Sequence, residues 1–116
     1  MDHPLYPNVS KELANQRREL APEVHAAFRG FSHRALADGA LPARTKELIA
    51  VAVAHVTQCP WCIRSHTQLA MERGVTEAEL MEAIWVAAEM RAGATYAHSA
   101  IAIDAMNEVR AKSAGS

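Results

Sequence analysis

Two cysteines, Cys59 and Cys62, form the one C-x-x-C of a 116-residue chain, with His66 four residues after Cys62 and Glu47 twelve residues before Cys59. With no other cysteine present, such a pair reads as a redox dithiol or as half of a metal site; a disulfide framework needs more crosslinks. On a helix, His66 stacks over Cys62 one turn later. If the chain reverses near Val56 to Gln58 with helices on both flanks, Glu47 falls level with His66 across an antiparallel interface. A carboxylate, an imidazole and two thiols then converge. Thiols at i and i+3 around a helix N-terminus close to a disulfide with little backbone movement, and the helix end stabilises the thiolate. A thiolate of this kind attacks a peroxide oxygen and becomes a sulfenic acid. The partner thiol condenses with it, and a dithiol reductant reopens the disulfide. In that scheme His66 takes a thiol proton directly or through water, and Glu47 holds or shuttles it.

The elements that must position these groups read as helices. Pro42 opens a helix carrying Glu47 and an Ala/Val run to Val56, and a second helix starts at the dithiol, with Cys59 near the cap and Pro60 in the first turn, and ends at Gly74. Cys62, His66, Leu69 and Ala70 share one stripe of it. The alternation of Ile49, Val51 and Val53 with alanines also fits a strand leading into C-P-W-C, as in thioredoxin-like proteins. No further β-rich segments accompany it, and helix is the expectation. Upstream, Met1 to Val9 is an irregular arm with Pro4 and Pro7 that packs on a neighbour, and Ser10 caps a short polar helix to about Leu20. Pro22 starts a helix with Val24, Phe28, Phe31 and Ala35 on one face, ending at Gly39. His25 and His33 lie on it as surface or partly packed residues. Downstream, Thr76 and Glu79 make a T-x-x-E capping box for a helix with Leu80, Ile84, Ala87, Ala88 and Arg91 on one face. Gly93 marks its end, a sixth helix runs from about Ala94 to Arg110 with Ile101 and Ala105 inward, and Lys112 to Ser116 is a frayed tail.

Composition agrees. Half the residues are apolar but only 5% aromatic, and 24 are alanine, which favours closely packed helices. The expected fold is all-α: one domain over residues 1–116, with about six helices around a central hairpin that carries the dithiol. A formal net charge of -1 without a basic cluster leaves out the electrostatic footprint of a nucleic-acid binder. The N-terminus has no signal pattern and the near-apolar run Leu48 to Val56 is too short to span a bilayer. The expectation is a cytoplasmic protein with reduced thiols. Apolar faces on several helices point to an oligomer.

The combined pattern E-x11-C-x-x-C-x3-H resembles the signature of the carboxymuconolactone decarboxylase superfamily, specifically its alkylhydroperoxidase D-like branch. Glu47, Cys59, Cys62 and His66 fill its four positions. The similarity covers about Pro42 to Arg110 (residues 42–110), including G-V-T-E-A-E-L and R-A-G-A. The resemblance implies a helical fold around a hairpin, assembly into homotrimers or homohexamers, and reduction of alkyl hydroperoxides with an external lipoyl- or thioredoxin-like dithiol reductant and no bound cofactor. It also implies that Cys62 reacts with peroxide and Cys59 resolves. One position departs from it: the best-known peroxidases of the branch carry a histidine between the cysteines, where this chain has Trp61. Trp61 either shapes an apolar mouth for an organic substrate or packs at a subunit contact.

Three other readings compete. His55, Cys59, Cys62 and His66 read H-x3-C-x2-C-x3-H and would supply four zinc ligands. A lyase acting on a lactone-like acid, as in the decarboxylase branch, needs no dithiol. A helical oligomerisation module would hold its cysteines as incidental buried residues. Tyr96 and His98, in T-Y-A-H-S, fall near the family site but read as packed or surface residues.

Overall fold

In the computed structural model, which describes residues 5–8 and 10–115, every regular element is a helix. These are α1 (Lys11–Leu20), α2 (Pro22–Leu36), α3 (Ala43–Thr57), α4 (Pro60–Glu72) and α5 (Glu77–Gly115). Each boundary has a local cause. Ser10 Oγ accepts the Leu13 N–H at 3.1 Å and starts α1. Asp38 Oδ1 accepts the Ala43 N–H at 2.6 Å at the start of α3, where Pro42 itself has no side-chain oxygen to cap with. Gln58 turns left-handed, φ 58° and ψ 48°, and reverses the chain between α3 and α4. Gly74, at φ 83°, ends α4, and the Val75 N–H reaches back to the Ala70 carbonyl at 3.0 Å. Thr76 and Glu79 exchange hydrogen bonds of 2.9 and 3.1 Å, the reciprocal cap that opens α5.

The core is small and sits where α3, α4 and the first half of α5 meet. Val51, Ala70, Val75 and Leu80 are buried together, with Leu48 and Ile84 packed against them. Alanines at Ala54 and Ala87 are also buried; their small side chains let helices approach closely. Arg44 fixes α3 to the start of α5 through Glu79, at 2.5 Å, and the Gly74 carbonyl, at 3.3 Å. Arg91 Nη1 donates to the Val56 carbonyl at 2.7 Å, tying α5 to the end of α3 beside the dithiol.

Two expectations are corrected. Gly93 does not end a helix: α5 is one helix of 39 residues, so the described residues hold five helices rather than six, and the helix continues through Lys112 to Gly115. A glycine costs a helix only about 1 kcal/mol against alanine, and the flanking Ala92 and Ala94 with no following proline leave nothing to enforce a break. The inward faces expected of α2 and of the last helix are also uncovered. Phe28 and Phe31 are 63% and 67% exposed, Ile101 is 68% exposed, and every described residue from Ala88 to Gly115 is exposed. The radius of gyration is 21.1 Å, against about 13 Å for a compact chain of this length. Those stripes are amphipathic, as the periodicity says, but nothing within the chain covers them. No helix among the described residues is long and apolar enough to cross a membrane. Residues 1–4, 9 and 116, which include part of the expected arm and the end of the tail, lie outside the described residues.

Candidate active site

The α3/α4 hairpin brings the four signature residues to one region as two bonded pairs. Cys59 is the N-cap of α4, and Pro60 takes its first position, where a missing N–H costs nothing. That cap turns Cys59 Sγ toward the open helix end, where it accepts the Cys62 N–H at 3.3 Å. The two sulfurs lie 2.9 Å apart as free thiols and share a hydrogen bond. Which sulfur keeps the proton follows from the other contacts. The Cys62 thiol, then the Cys62 and Trp61 backbone N–H groups, stabilise charge on Cys59 and lower its pKa. The Cys62 pKa is raised, first by its hydrogen bond to Cys59, then by burial and by the charge beside it. Of the two, Cys59 is therefore the thiol that ionises more readily, and Cys62 the one that holds its proton more tightly.

One turn along α4, His66 Nδ1 donates to Glu47 Oε2 across the hairpin at 2.7 Å. Glu47 is 2% exposed, the one buried charged residue among those described. A carboxylate out of water needs such a partner. The contact also fixes the imidazole tautomer with its proton on Nδ1, so Nε2 is left as the acceptor. No hydrogen bond joins His66 to Cys62 among the described residues; they are neighbours by helical spacing.

A cavity of about 400 Å³ is lined by both cysteines. Leu13 and Leu20 of α1, Pro7 and Trp61 give it largely apolar walls, and Arg17 stands in its lining. Trp61 holds the arm there: its indole N–H donates to the Pro7 carbonyl at 2.7 Å, and Tyr6 meets its ring edge-on at a 5.1 Å centroid distance. The described part of the arm thus packs on its own chain, and Trp61 is part of the mouth of the dithiol cavity.

Among the described residues no three His, Cys, Asp or Glu side chains come together as a metal site. His55 lies on the far side of the Gln58 reversal with its Nδ1 on the Val51 carbonyl at 2.7 Å, and the His66 Nδ1 proton is on Glu47. Tyr96 and His98 lie on the exposed half of α5, with His98 Nδ1 on the Ala94 carbonyl at 2.8 Å, and do not reach the dithiol of their own chain. His33 lines a second cavity together with Arg29 and Arg73. The two arginines carried no sequence signal, because they belong to different helices with no motif between them.

An all-helical fold with a dithiol at a hairpin and a buried carboxylate–imidazole pair one turn on defines a class, and comparison with known proteins gives it a family. The profile of the Carboxymuconolactone decarboxylase family matches residues 22–105, and the chain belongs to that family. It is 53% identical over 103 residues to the protein of Paracoccus denitrificans described as "Uncharacterized protein 4 in cox locus", covering 89% of this chain and 92% of that one. A crystal structure of a carboxymuconolactone decarboxylase family protein from Legionella pneumophila superposes with a TM-score of 0.63 at 38% identity, over 69% of this chain and 74% of that chain. Similarity to the alkylhydroperoxidase D-like branch is seen in alkyl hydroperoxide reductase AhpD of Anaeromyxobacter sp. (strain K), 41% identical over 56 residues, 46% of this chain and 30% of that one.

Proposed function

We propose that the protein is a dithiol oxidoreductase that reduces organic hydroperoxides through Cys59 and Cys62. The observation that carries this reading is the pair of free sulfurs 2.9 Å apart at the start of α4, on residues that line an apolar cavity. In the proposed cycle His66 Nε2 takes the Cys62 proton, and Cys62 Sγ attacks the terminal peroxide oxygen. The O–O bond breaks, Cys62 becomes a sulfenic acid, and His66 returns the proton to the departing alkoxide, giving an alcohol. Cys59, the more readily ionised thiol, then attacks the Cys62 sulfur as its thiolate. A disulfide forms, and the leaving hydroxide takes a proton from solvent as water. An external dithiol, lipoyl- or thioredoxin-like, is oxidised to its own disulfide and returns two protons and two electrons. Glu47 keeps the imidazole oriented throughout.

The order of the thiols rests on the family resemblance together with the buried Glu47–His66 pair, whose placement one turn beyond Cys62 gives that thiol a base. The resting hydrogen bonds favour charge on Cys59, so attack by Cys59 is the rival order, and it has no need of His66. The uncovered stripes on α2 and α5 support assembly into a homo-oligomer, a trimer or hexamer by the same resemblance, and reduced thiols suit the cytoplasm.

Stopped-flow oxidation of the reduced protein by cumene hydroperoxide, with the products identified by intact mass, tests the cycle. Expected are stoichiometric disulfide formation much faster than for a free thiol, loss of reaction in Cys62→Ser, and a trapped sulfenic acid in Cys59→Ser. Oxidation no faster than a free thiol sinks the peroxidase reading; sulfenic acid at Cys59 in Cys62→Ser at the wild-type rate reverses the order.

A further inference from the structure

A second cavity, of about 660 Å³, has Glu47 and His66 in its wall but neither cysteine. It lies between α2 and the hairpin. Arg29 comes to it from α2 and Arg73 from the C-cap of α4. Among the described residues neither guanidinium has a hydrogen-bond or ion-pair partner. Two acids also face the cavity, and both are engaged: Glu47 with His66, and Asp38 with the Ala43 N–H at 2.6 Å. Both acids thus have donors of their own, while the two guanidinium groups are left to an occupant of the cavity. Leu36, Ala37 and Leu69 give the same cavity an apolar wall.

We propose that this cavity binds a small monocarboxylic acid, its carboxylate between Arg29 and Arg73 and its apolar body along Leu36 and Leu69. A monoanion has its one charge met by the two arginines; a dianion would bring its second charge against Asp38 and Glu47. Guanidinium is the group suited to a planar carboxylate because its N–H donors form a fork that matches both oxygens. The site goes beyond dithiol redox chemistry and does not depend on it, since no cysteine lines it. Its occupant rests against the Glu47–His66 pair.

The test is calorimetric titration of the reduced full-length protein with octanoate, the neutral octanamide and succinate, followed by NMR of the histidine ring protons. Octanoate is expected to bind saturably and to shift the His66 and His33 resonances. Octanamide and succinate should each bind about tenfold more weakly or not at all, and Arg29→Gln and Arg73→Gln should each weaken octanoate about tenfold, the loss of one charge-assisted contact. A Cys59→Ser/Cys62→Ser protein should bind octanoate as the wild type does, which separates this site from the redox reading. Equal binding of octanoate and octanamide overturns the proposal, as does indifference to both arginine substitutions or no saturable binding at millimolar octanoate. Both arginines are exposed, so their replacement leaves the core intact.

Discussion

Replacing His66 by leucine removes the partner of a carboxylate that has almost no contact with water. The Glu47 side chain is 3% exposed and that of His66 21%. Leaving a buried carboxylate without its partner costs about 3–5 kcal/mol, because the charge keeps its desolvation penalty without compensation. The partial exposure of His66 lets water enter once the ring is gone, so the lower end, about 3 kcal/mol, is expected for His66→Leu. For a domain with a total stability of about 5–15 kcal/mol that is a large fraction. Glu47→Gln keeps an oxygen to accept the Nδ1 proton and should cost only about 1 kcal/mol. The double variant Glu47→Leu/His66→Leu removes both polar groups from a site already walled by apolar side chains, and should return to within about 1 kcal/mol of the wild type. Urea unfolding of the four proteins at one fixed concentration gives the cycle directly, the fixed concentration being needed because self-association adds to apparent stability. A His66→Leu protein no less stable than the double variant would refute the argument, since Glu47 would then not be desolvated. The same panel also bears on chemistry: if the pair serves Cys62, disulfide formation by peroxide should slow in the double variant even though it is folded.

Two further outcomes follow from the hydrogen bonds on the charged groups. Because Cys59 accepts from Cys62 and is lowered while Cys62 is raised, limiting iodoacetamide at neutral pH should label Cys59 first by peptide mapping, and Cys62→Ala should slow that labelling roughly tenfold; first labelling at Cys62 would contradict the proton placement. The Arg44 guanidinium, with the Thr76 cap, holds the Glu79 carboxyl at about 2 against an ordinary 4.5, so between these values the unfolded chain binds more protons, and the stability this contact gives is complete above about 4.5 and lost as pH falls toward 2. Glu79→Gln should flatten that part of an acid-unfolding profile, and an unchanged profile would remove the ion pair from the account.

The parts of the molecule legible in the sequence are those whose cause is local. Ser10, Pro60, Gly74 and the Thr76/Glu79 box each act within a few residues, and each falls where the chain pattern puts it. The level of Glu47 with His66 was legible for a related reason: two helices joined by one left-handed residue leave little freedom in their register, so counting residues from the reversal is enough. Cys59 as N-cap follows from Pro60, although which thiol ionises more readily does not, since spacing puts both in the first turn and only the hydrogen bonds Cys59 accepts, with the burial of Cys62, distinguish them.

What failed was non-local. Gly93 reads as a boundary because a glycine in a helix is unfavourable, yet its cost is spread over a helix of 39 residues that Arg91 anchors to Val56 two residues earlier. His55 fits a ligand spacing in the sequence, but its Nδ1 is engaged with the Val51 carbonyl of its own helix, and spacing along the chain does not say whether four side chains on two sides of the Gln58 reversal come together. The stripes of α2 and α5 show the limit most clearly. Periodicity at Val24, Phe28 and Phe31, or at Ile101, states that a face is apolar and is to be covered; it carries no information on whether the cover is the same chain. Where the α3/α4 hairpin meets α5 the cover is internal and the site is built there, beside a buried Glu47. Along the outer half of α5 the same kind of stripe stays open, so there the periodicity that elsewhere builds the core marks an apolar face that this chain leaves uncovered.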